Sequence, residues 1–329
     1  MKIVTNENEC YAIIENYKNS ILDSTGYKKI LNSHYNPDAY LFFVDGEDVI
    51  PLVVKNNLVT FYGHPSFNVT DSLRSNKTLL NEILFYLKEE DYDFHLLSIY
   101  NDYFDLLEDK NKQYDVPYPV EWHYKDIQHF DKLNILNGVT GKRRVRYKRM
   151  LKECQNYTSA TISFAEFKNQ FDFFIKAHID YFLERGIESV WKNNENFLLE
   201  QLEYFENEEN LIIRTISLKQ NIIAFYTLVY NNEEIIALFG TALTKEDSYI
   251  SKAIYLDTLE TGKQIASGTK ITQLNGSRGT AVNKKIFGFI PVPLYALVKD
   301  DNWVVQRDSS IDPESYESVY GRNSWGQAE

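Results

Sequence analysis

The same order of secondary-structure elements occurs twice in this chain of 329 residues. Each half has three short β-rich runs, then an amphipathic helix, a strand, a short helix (101–107 in the first half) and a final strand. The runs are YLFFVDGEDVIPLVV and LVTFYG in the first half, and LIIRTISLK, IIAFYTLVY and EEIIALFGTAL in the second. Asp45-Gly46 between apolar runs is a strong hairpin signal. The repeated order predicts two similar α/β domains, because each set of strands needs helices to cover it.

The helix in each half links the third strand to the fourth. It reads NKTLLNEILFYLKEED in the first half and ISKAIYLDTLETGKQIAS in the second, where Gly268 takes the position of a C-cap. Such a crossover lets the two strands lie parallel within an otherwise antiparallel sheet. Where they separate, unpaired N–H and C=O groups face a gap that can accept an extended, amide-bearing ligand. In the second half Leu238 to Thr241 would line it, and Gly240 would permit close backbone approach.

The length of the chain favours two domains over one core, and 43% apolar residues allow both to bury one. We expect an α/β fold with a mixed sheet in each domain. The N-terminal domain is predicted at 1–128 and the C-terminal domain at 129–305, with helices from 140 to 206 before its strands. Residues 306–329 form a polar tail.

Composition excludes several classes of protein. A net charge of −12 argues against nonspecific binding to nucleic acid or anionic lipid. No apolar run approaches the roughly 20 residues that span a membrane, and the first residues lack a signal-peptide pattern. Cys10 and Cys154 form neither a disulfide framework nor a metal motif by spacing. We expect a cytoplasmic protein without a metal or membrane span, and its oligomeric state stays open.

The polar loop LNGSRGTAVNKKIFGF, residues 274–289, precedes the last strand. Arg278, beside Gly279, could hold a phosphate or carboxylate through two hydrogen bonds, or belong to a surface turn. Lys284 could stabilise developing negative charge or bind a phosphate, or be an ordinary solvated lysine.

Other candidates have both a functional and a structural interpretation. His178 is a general base or a core histidine, since Phe174, Tyr181 and other apolar residues recur at helical spacing around it. Tyr226 is a proton donor to a leaving thiol or a core residue. The run Lys142–Arg149, with six basic residues in eight, could bind tRNA, a nucleotide-sugar pyrophosphate or coenzyme A phosphates, or form a solvated helix. Trp191 anchors either a substrate-contacting loop or an ordinary one.

These features together resemble the GNAT N-acyltransferase superfamily, in particular the tandem branch with FemAB peptidyltransferases and BioF2-like (CelD-like) acyltransferase domains. The run Arg278–Gly288 is similar to that branch's motif and places Lys284 at the motif lysine. AHIDYFLERGIESVW resembles its His-containing helix, which places His178 at that histidine. GKRRVRYKRMLKE resembles the basic helix that opens its second domain. The resemblance covers most of residues 40–299.

The chain departs from the pattern of that branch at three places. Asn275 stands where many relatives have Asp, and Asn283 where many have Tyr. The pyrophosphate loop that usually precedes the crossover helix is absent, and LTKEDSYISKAI stands there instead.

The resemblance implies two GNAT-like domains around a shared cleft and an N-acyltransferase whose C-terminal domain carries the reaction. Its donor would be acyl-CoA, used as a co-substrate without a permanent cofactor, and its acceptor an amine of a small molecule or peptide. The catalytic candidates are Lys284, His178 and Tyr226. The binding candidates are Arg278, Gly279, Gly240, Thr241, Asn275, Arg143, Arg144, Tyr181 and Trp191. The alternatives are a FemAB-type peptidyltransferase that uses aminoacyl-tRNA, and a non-catalytic binding or scaffold module.

Overall fold

The computed structural model describes residues 1–17, 21–46, 48–62, 77–100, 107–116, 121–184, 189, 191–244, 249–269, 271, 273–276 and 286–299. The chain divides into two compact units. Unit 1 is Met1–Glu121 with Val292–Glu329, and unit 2 is Trp122–Pro291.

The first part of the chain supplies most of unit 1. Its helices and strands are β1 (Lys2–Val4), α1 (Glu7–Tyr17), α2 (Thr25–Tyr35), β2 (Ala39–Asp45), β3 (Asp48–Lys55), β4 (Leu58–Phe61), α3 (Lys77–Glu89), β5 (Asp93–Tyr100) and β6 (Asp115–Val116).

The remaining elements follow in chain order. They are β7 (Glu121–Asp126), α4 (Gly141–Cys154), β8 (Tyr157–Ile162), α5 (Phe164–Asn169), α6 (Phe171–Leu183), α7 (Glu195–Asn207), β9 (Leu211–Leu218), β10 (Asn221–Tyr230), β11 (Ile235–Ala242), α8 (Ile250–Ala266), β12 (Gln273–Gly276) and β13 (Ile290–Lys299).

In unit 1, strands β1 to β4 form an antiparallel meander, and β4 pairs with β5 in parallel through the crossover helix α3. The turn between β3 and β4 has Asn56 and Asn57 at φ 49° and 65°, the left-handed geometry of a type I′ hairpin. One face of the sheet packs against the apolar side of α3, and the other packs against α1 and α2. The predicted meander, crossover helix and parallel strand are therefore present.

Unit 2 repeats this arrangement. Strands β8 to β11 are antiparallel, β11 pairs with β12 in parallel, and α8 connects the two. Gly268 follows α8 with φ 79°, as expected for a glycine that ends a helix. The mixed α/β fold predicted from the sequence is confirmed in both units.

The last strand of each sheet comes from the other half of the chain. Strand β7 is encoded at the end of the first half and pairs antiparallel with β12. Strand β13, at the end of the second half, pairs antiparallel with β5. The units therefore break near residues 121 and 291, whereas the domain limits predicted from the sequence were 128 and 305.

The segment between residues 140 and 206 differs from the prediction in one element. It was expected to be helical, but it also contains strand β8, which pairs with β9 along its whole length. The sequence YTSATI is rich in β-branched residues, and an edge position lets it join the sheet. The short helix predicted over 101–107 lies almost wholly outside the described residues.

The longest described helix is α8, with 17 residues. Among the residues that the structure describes, no helix is both long enough and apolar enough to cross a membrane.

Candidate functional site

The described pairing of the two parallel strands of unit 2 covers three residue pairs. Ile235, Ile236 and Ala237 of β11 pair with Leu274, Asn275 and Gly276 of β12. Strand β11 continues along β10 to Ala242, whereas the residues that follow Gly276, 277–285, lie outside the described part of the chain. The separation of the two strands, and the gap that Leu238–Ala242 would line, therefore stay predictions.

A β-bulge lies where this gap would begin. Thr227 pairs with Phe239 but its neighbour Leu228 pairs with Ala237, so Leu238 is the extra residue on β11. The Thr227 hydroxyl fixes the bulge, because it donates to Phe239 O and accepts from Phe239 N, each at 3.1 Å. Bulges are common beside active sites, where they redirect backbone groups.

Strands β10 and β11 lie so close together at Gly240 that a side chain there would not fit. Gly240 pairs with Tyr226 of β10, and a Cβ atom built on it would lie 2.6 Å from Tyr226 Cβ and 3.2 Å from Phe225 O. These atoms belong to backbone or to the base of a side chain, so they cannot move independently. The close contact with Tyr226 therefore explains why residue 240 is a glycine. The role of Gly240 in the approach of a ligand stays a prediction. Thr241, beside it, is buried, and its hydroxyl donates to Ala242 O.

Helix α6 places His178 on the sheet face that carries Phe239. The two rings lie 5.2 Å apart between centroids, and Phe182 packs on the imidazole at 4.6 Å. His178 Nε2 lies 2.9 Å from Ser189 Oγ, which also accepts from the Trp191 backbone N–H at 3.2 Å. Trp191 contacts Phe239 edge to face at 5.6 Å. Ser189 and Trp191 are thereby fixed against the strand that would border the gap.

Burial lowers the pKa of His178 from 6.5 to about 3. The imidazole is therefore neutral at neutral pH, and its Nδ1 has no hydrogen-bond partner among the described residues. A histidine with such a pKa is a weak proton acceptor. This environment favours a positioning role, and its role as general base stays a prediction. Tyr181, on the same helix, is half-buried with its ring 5.6 Å from that of Phe182.

Tyr226 takes part in a buried polar network on the other face of the sheet. Its hydroxyl donates to Asp257 Oδ2 at 2.7 Å and lies 3.1 Å from Thr261 Oγ1. Arg214 donates to both oxygens of Asp257, at 3.1 Å from Nε and 2.9 Å from Nη2. Arg214 also donates to the hydroxyls of Ser159 and Thr161, so the network joins β8, β9, β10 and α8.

Burial first, and the carboxylate of Asp257 second, raise the pKa of Tyr226 far above its ordinary value. A phenol that already donates to a carboxylate transfers its proton poorly to a leaving group. The network therefore favours a structural role for Tyr226, and its catalytic role stays a prediction.

Helix α4 carries seven basic side chains and one acidic side chain, within a chain of net charge −12. Two of the basic residues bind neighbouring groups of the protein. Arg143 stacks on the Tyr147 ring at 5.5 Å and donates to its hydroxyl at 3.1 Å. Arg144 donates to the carbonyls of Leu136 and Val139, at 2.6 and 3.2 Å. Arg144 thus fixes the chain that enters the helix.

The other cations of α4 are exposed. Arg149 lies 3.9 Å from Glu153, at the limit of an ion pair. Four more have no acidic partner within ion-pair distance in the described part of the chain: Lys142, Arg146, Lys148 and Lys152. Such a surface binds phosphate groups by charge alone.

Helix α4 packs against α8, and the two helices bring cations together. Lys252 lies in the first turn of α8. Burial lowers its pKa, and the positive charge of Arg146 lowers it further. An anion at this helix N-terminus would be stabilised by both side chains and by the helix dipole. The arrangement therefore favours a phosphate-bearing ligand.

Several predicted residues cannot be placed. Arg278, Gly279 and Lys284 lie outside the described residues. Asn275 is on β12, with its backbone between Ile236 of β11 and Tyr124 of β7. The roles of these four residues stay predictions.

Sequence reasoning missed Asp257, Arg214, Ser189 and Lys252. Asp257 and Arg214 carried a signal, since each is a charge among apolar residues, in IYLDTLE and LIIRTIS. A charge at such a place is usually paired when buried. Ser189 and Lys252 lie in polar segments, where a polar side chain is ordinary, so the sequence did not single them out.

No protein-family model and no curated protein matches the sequence. Solved structures do share the fold. FemX is similar over 91% of this chain and 98% of its own, with a TM-score of 0.55 and 12% identity. The C-terminal domain of a putative lysylphosphatidylglycerol synthetase from Agrobacterium fabrum covers 90% of this chain and 93% of its own, with a TM-score of 0.54 and 10% identity.

A third similar structure is that of L-PGS from Bacillus licheniformis, over 91% of this chain and 93% of its own, with a TM-score of 0.51 and 15% identity. At these identities the similarity concerns the fold alone. The chain shares the mixed α/β fold of these structures over its two units, in agreement with the fold class that its sequence predicted.

Proposed function

We propose that this protein is a transferase that moves an acyl or aminoacyl group from an activated, phosphate-bearing donor to an amine, and that unit 2 carries the reaction. The observation that carries the proposal is the course of β11, which is bulged at Leu238 directly after Ala237, its last described partner of β12. We expect the two strands to separate there and to leave a gap in which the backbone of Leu238–Ala242 can bind a ligand.

The gap favours acyl-CoA as the donor. The pantetheine arm of coenzyme A is extended and contains two amide groups. Such an arm can bind beside β11 as an additional strand does, through backbone hydrogen bonds. This would hold the thioester carbonyl in a fixed place, and positioning is a large part of what acyl transfer requires.

The cations of α4 and α8 support a donor with phosphates. Arg146 and Lys252 repel each other when the site is empty, because both are positively charged and close. A phosphate between them would reverse that repulsion and raise the pKa of Lys252 again.

The transfer itself needs few protein groups. The neutral amine attacks the thioester carbon, the carbonyl oxygen becomes an oxyanion, and the C–S bond breaks when the tetrahedral intermediate collapses. The amine proton leaves to a base and the thiolate accepts a proton. Backbone N–H groups of the gap could stabilise the oxyanion. Lys284 and Arg278 remain our candidates for charge stabilisation and phosphate binding.

An aminoacyl-tRNA donor is the second candidate. The exposed cations along α4 favour it, since they form a surface longer than one pyrophosphate. One similar structure is named as the C-terminal domain of a putative lysylphosphatidylglycerol synthetase, and a lysyl group as cargo is compatible with an aminoacyl donor for this chain.

The test is the shift in melting temperature with acetyl-CoA, longer acyl-CoAs and free CoA. A ligand at about 100 times its dissociation constant adds about 2.7 kcal/mol of stability. We expect a clear shift that Arg146→Gln with Lys252→Gln removes. Lys110→Gln is the control, because Lys110 is an exposed lysine of unit 1 that pairs with Glu108.

The outcomes separate the candidates. A shift that survives in the double variant would contradict the phosphate site. If no CoA shifts the melting temperature, charged tRNA is tested by filter binding at low salt. Binding of tRNA that weakens on substitution of Lys142 and Lys148 would support the second candidate. Failure with both donors would leave a binding or scaffold module.

A further inference from the structure

Unit 1 contains a buried polar cluster that the proposed transfer does not use. Asn32 of α2 is 2% exposed, Thr60 of β4 is 3% exposed, and Tyr62, just after β4, is fully buried. Within the part of the chain that the structure describes, four side-chain atoms of these residues have no hydrogen-bond partner: Asn32 Oδ1, Asn32 Nδ2, Thr60 Oγ1 and Tyr62 Oη.

The three residues lie in one place, on the sheet face covered by α1 and α2. Thr60 pairs with Val53, which belongs to the same apolar cluster as Tyr35 and Tyr62. The pKa of Tyr35 responds to the Thr60 hydroxyl, and that of Tyr11 responds to the Asn32 side chain. These pairs are near neighbours, yet none reaches hydrogen-bonding geometry for the four atoms.

Leaving polar atoms buried without partners is destabilising, by about 1–3 kcal/mol for each group. Apolar side chains of the same shape, such as Val for Thr60 and Phe for Tyr62, would avoid that penalty. Unpaired buried groups in a native protein therefore need a reason. A ligand that supplies the missing partners is such a reason.

The chemistry of the cluster indicates the kind of ligand. The carboxamide of Asn32 presents a donor beside an acceptor, and its natural complement is another amide, with an acceptor beside a donor. The hydroxyls of Thr60 and Tyr62 can each donate or accept. Aromatic rings stand around them: Phe42 lies 5.1 Å from Tyr62, and Tyr11 lies 6.1 Å from it, between ring centroids.

Two partly exposed tyrosines border the cluster. Tyr11 and Tyr40 are half-buried, and both donate to the exposed carboxylate of Glu7, at 3.0 and 2.7 Å. Their rings lie 6.1 and 6.2 Å from that of Tyr62. The two tyrosines therefore stand between the buried cluster and solvent.

We propose that unit 1 binds an amide group between α2 and β4, with Asn32, Thr60 and Tyr62 as its hydrogen-bond partners. The amide belongs to a small free molecule or to a peptide. This site is separate from the acyl-transfer gap of unit 2 and does not depend on the transferase proposal.

The first test compares paired substitutions in the full chain. Thr60→Val and Tyr62→Phe remove hydroxyls that have no partner, so the melting temperature is expected to stay or rise. Thr227→Val and Tyr226→Phe are the matched controls, because their buried hydroxyls are bonded to Phe239 and Asp257. Each control is expected to lower the melting temperature, by about 2–4 °C for a bond of ordinary strength. If all four variants melt lower alike, the Thr60 and Tyr62 hydroxyls are already satisfied and the proposal fails.

The second test measures binding by saturation-transfer NMR, with acetamide as the small free probe and N-acetylglycinamide as the peptide-like probe. We expect a saturable signal with the wild type that is lost in the Thr60→Val, Tyr62→Phe double variant and kept in Tyr226→Phe. A stronger signal with N-acetylglycinamide would identify a peptide as the source of the amide. Equal signals in the wild type and the double variant, or none with either probe, would overturn the proposal. No acyl donor is needed, so the result is independent of the transferase test.

Discussion

The imidazole of His178 and the phenol of Tyr226 lie on opposite faces of the same sheet, and each is almost fully buried. The phenol has a carboxylate and a hydroxyl as partners, whereas the imidazole has only Ser189. Both types of side chain are common in active sites, so residue type alone could not separate the roles. The hydrogen-bond partners of the two side chains distinguish their roles, and these partners come together only in the folded chain.

The buried imidazole of His178 makes stability depend on pH. Its pKa is about 3 when folded and near 6.5 when unfolded, so below pH 6.5 only the unfolded chain is protonated. Acidification from pH 6 to pH 4 should then lower the free energy of unfolding by about 1.4 kcal/mol per pH unit from this residue. Urea unfolding at several pH values measures it, and His178→Gln should reduce the slope by that amount.

His129 provides the matched control for this measurement. Its side chain is 86% exposed, so His129→Gln should leave the slope unchanged. Equal slopes in the wild type and in His178→Gln would contradict the burial of His178.

The ion pair of Arg214 with Asp257 should contribute more to stability than the tyrosine bonded to it. Asp257→Asn leaves a guanidinium without its counter-charge in a mostly buried place, and we expect a loss of about 2–3 kcal/mol. Tyr226→Phe removes one hydrogen bond, and we expect a loss of about 0.5–1.5 kcal/mol. Denaturant unfolding checks the order, and a larger loss for Tyr226→Phe would show that the pair is not the centre of the network.

At the scale of single elements, strand β11 has two different edges. Toward β10 it is packed so closely that Gly240 has no room for a side chain. Toward β12 its described pairing covers three positions and ends at Gly276, the last described residue of that strand. The sequence indicated the parallel pair through the crossover, but the reason for Gly240 was found only in the register with Tyr226.

Gly240→Ala tests this close packing. The new Cβ would lie 2.6 Å from Tyr226 Cβ, so β10 and β11 must move apart, and we expect a loss of about 1–3 kcal/mol. Gly262→Ala in α8 is the control, since its Cβ would meet the flexible end of Leu274 at 3.3 Å and alanine favours the helix. An equally small effect at both positions in denaturant unfolding would contradict the tight strand pair.

At the scale of the whole molecule, the exchange of β7 and β13 makes each unit depend on the other half of the chain. Unit 1 needs β13 to pair with β5, and unit 2 needs β7 to pair with β12. A fragment that ends at residue 128 keeps β7 but lacks β13. The linear division of the sequence therefore does not give a piece with a complete sheet.

Truncation after residue 289 tests this dependence. Unit 2 keeps β7 and all its other strands, so it should retain protection in hydrogen exchange. Unit 1 loses β13, so the amides of β5 should exchange much faster, because their antiparallel partners are gone. Fragment 1–128 lacks β13. If this fragment folded cooperatively and fully protected the amides of β5, unit 1 would not depend on β13.

Local signals predicted much of this protein. The meanders, the hairpin at Asp45-Gly46 and the crossover helices follow from alternation, turn residues and helical periodicity. These patterns depend on neighbours in sequence, so they can be read without a structure. Strand β8 was missed because it lies between two helices and because its sequence is mostly polar. Such a sequence can form a strand at the edge of a sheet, where one side is open to solvent.

The sequence by itself determined the order of the repeated elements, β2 to β5 and β9 to β12, the fold class and the concentration of positive charge in α4, because each depends on residues near one another along the chain. Only the tertiary structure decided that β7 pairs with β12 of unit 2 and β13 with β5 of unit 1. The alternation of residues in a strand predicts the strand but not the strand beside it. It also decided that Tyr226 bonds Asp257 and that the polar groups of Asn32, Thr60 and Tyr62 are buried without partners. Burial and pairing depend on contacts between distant residues, and these exist only when the chain is folded.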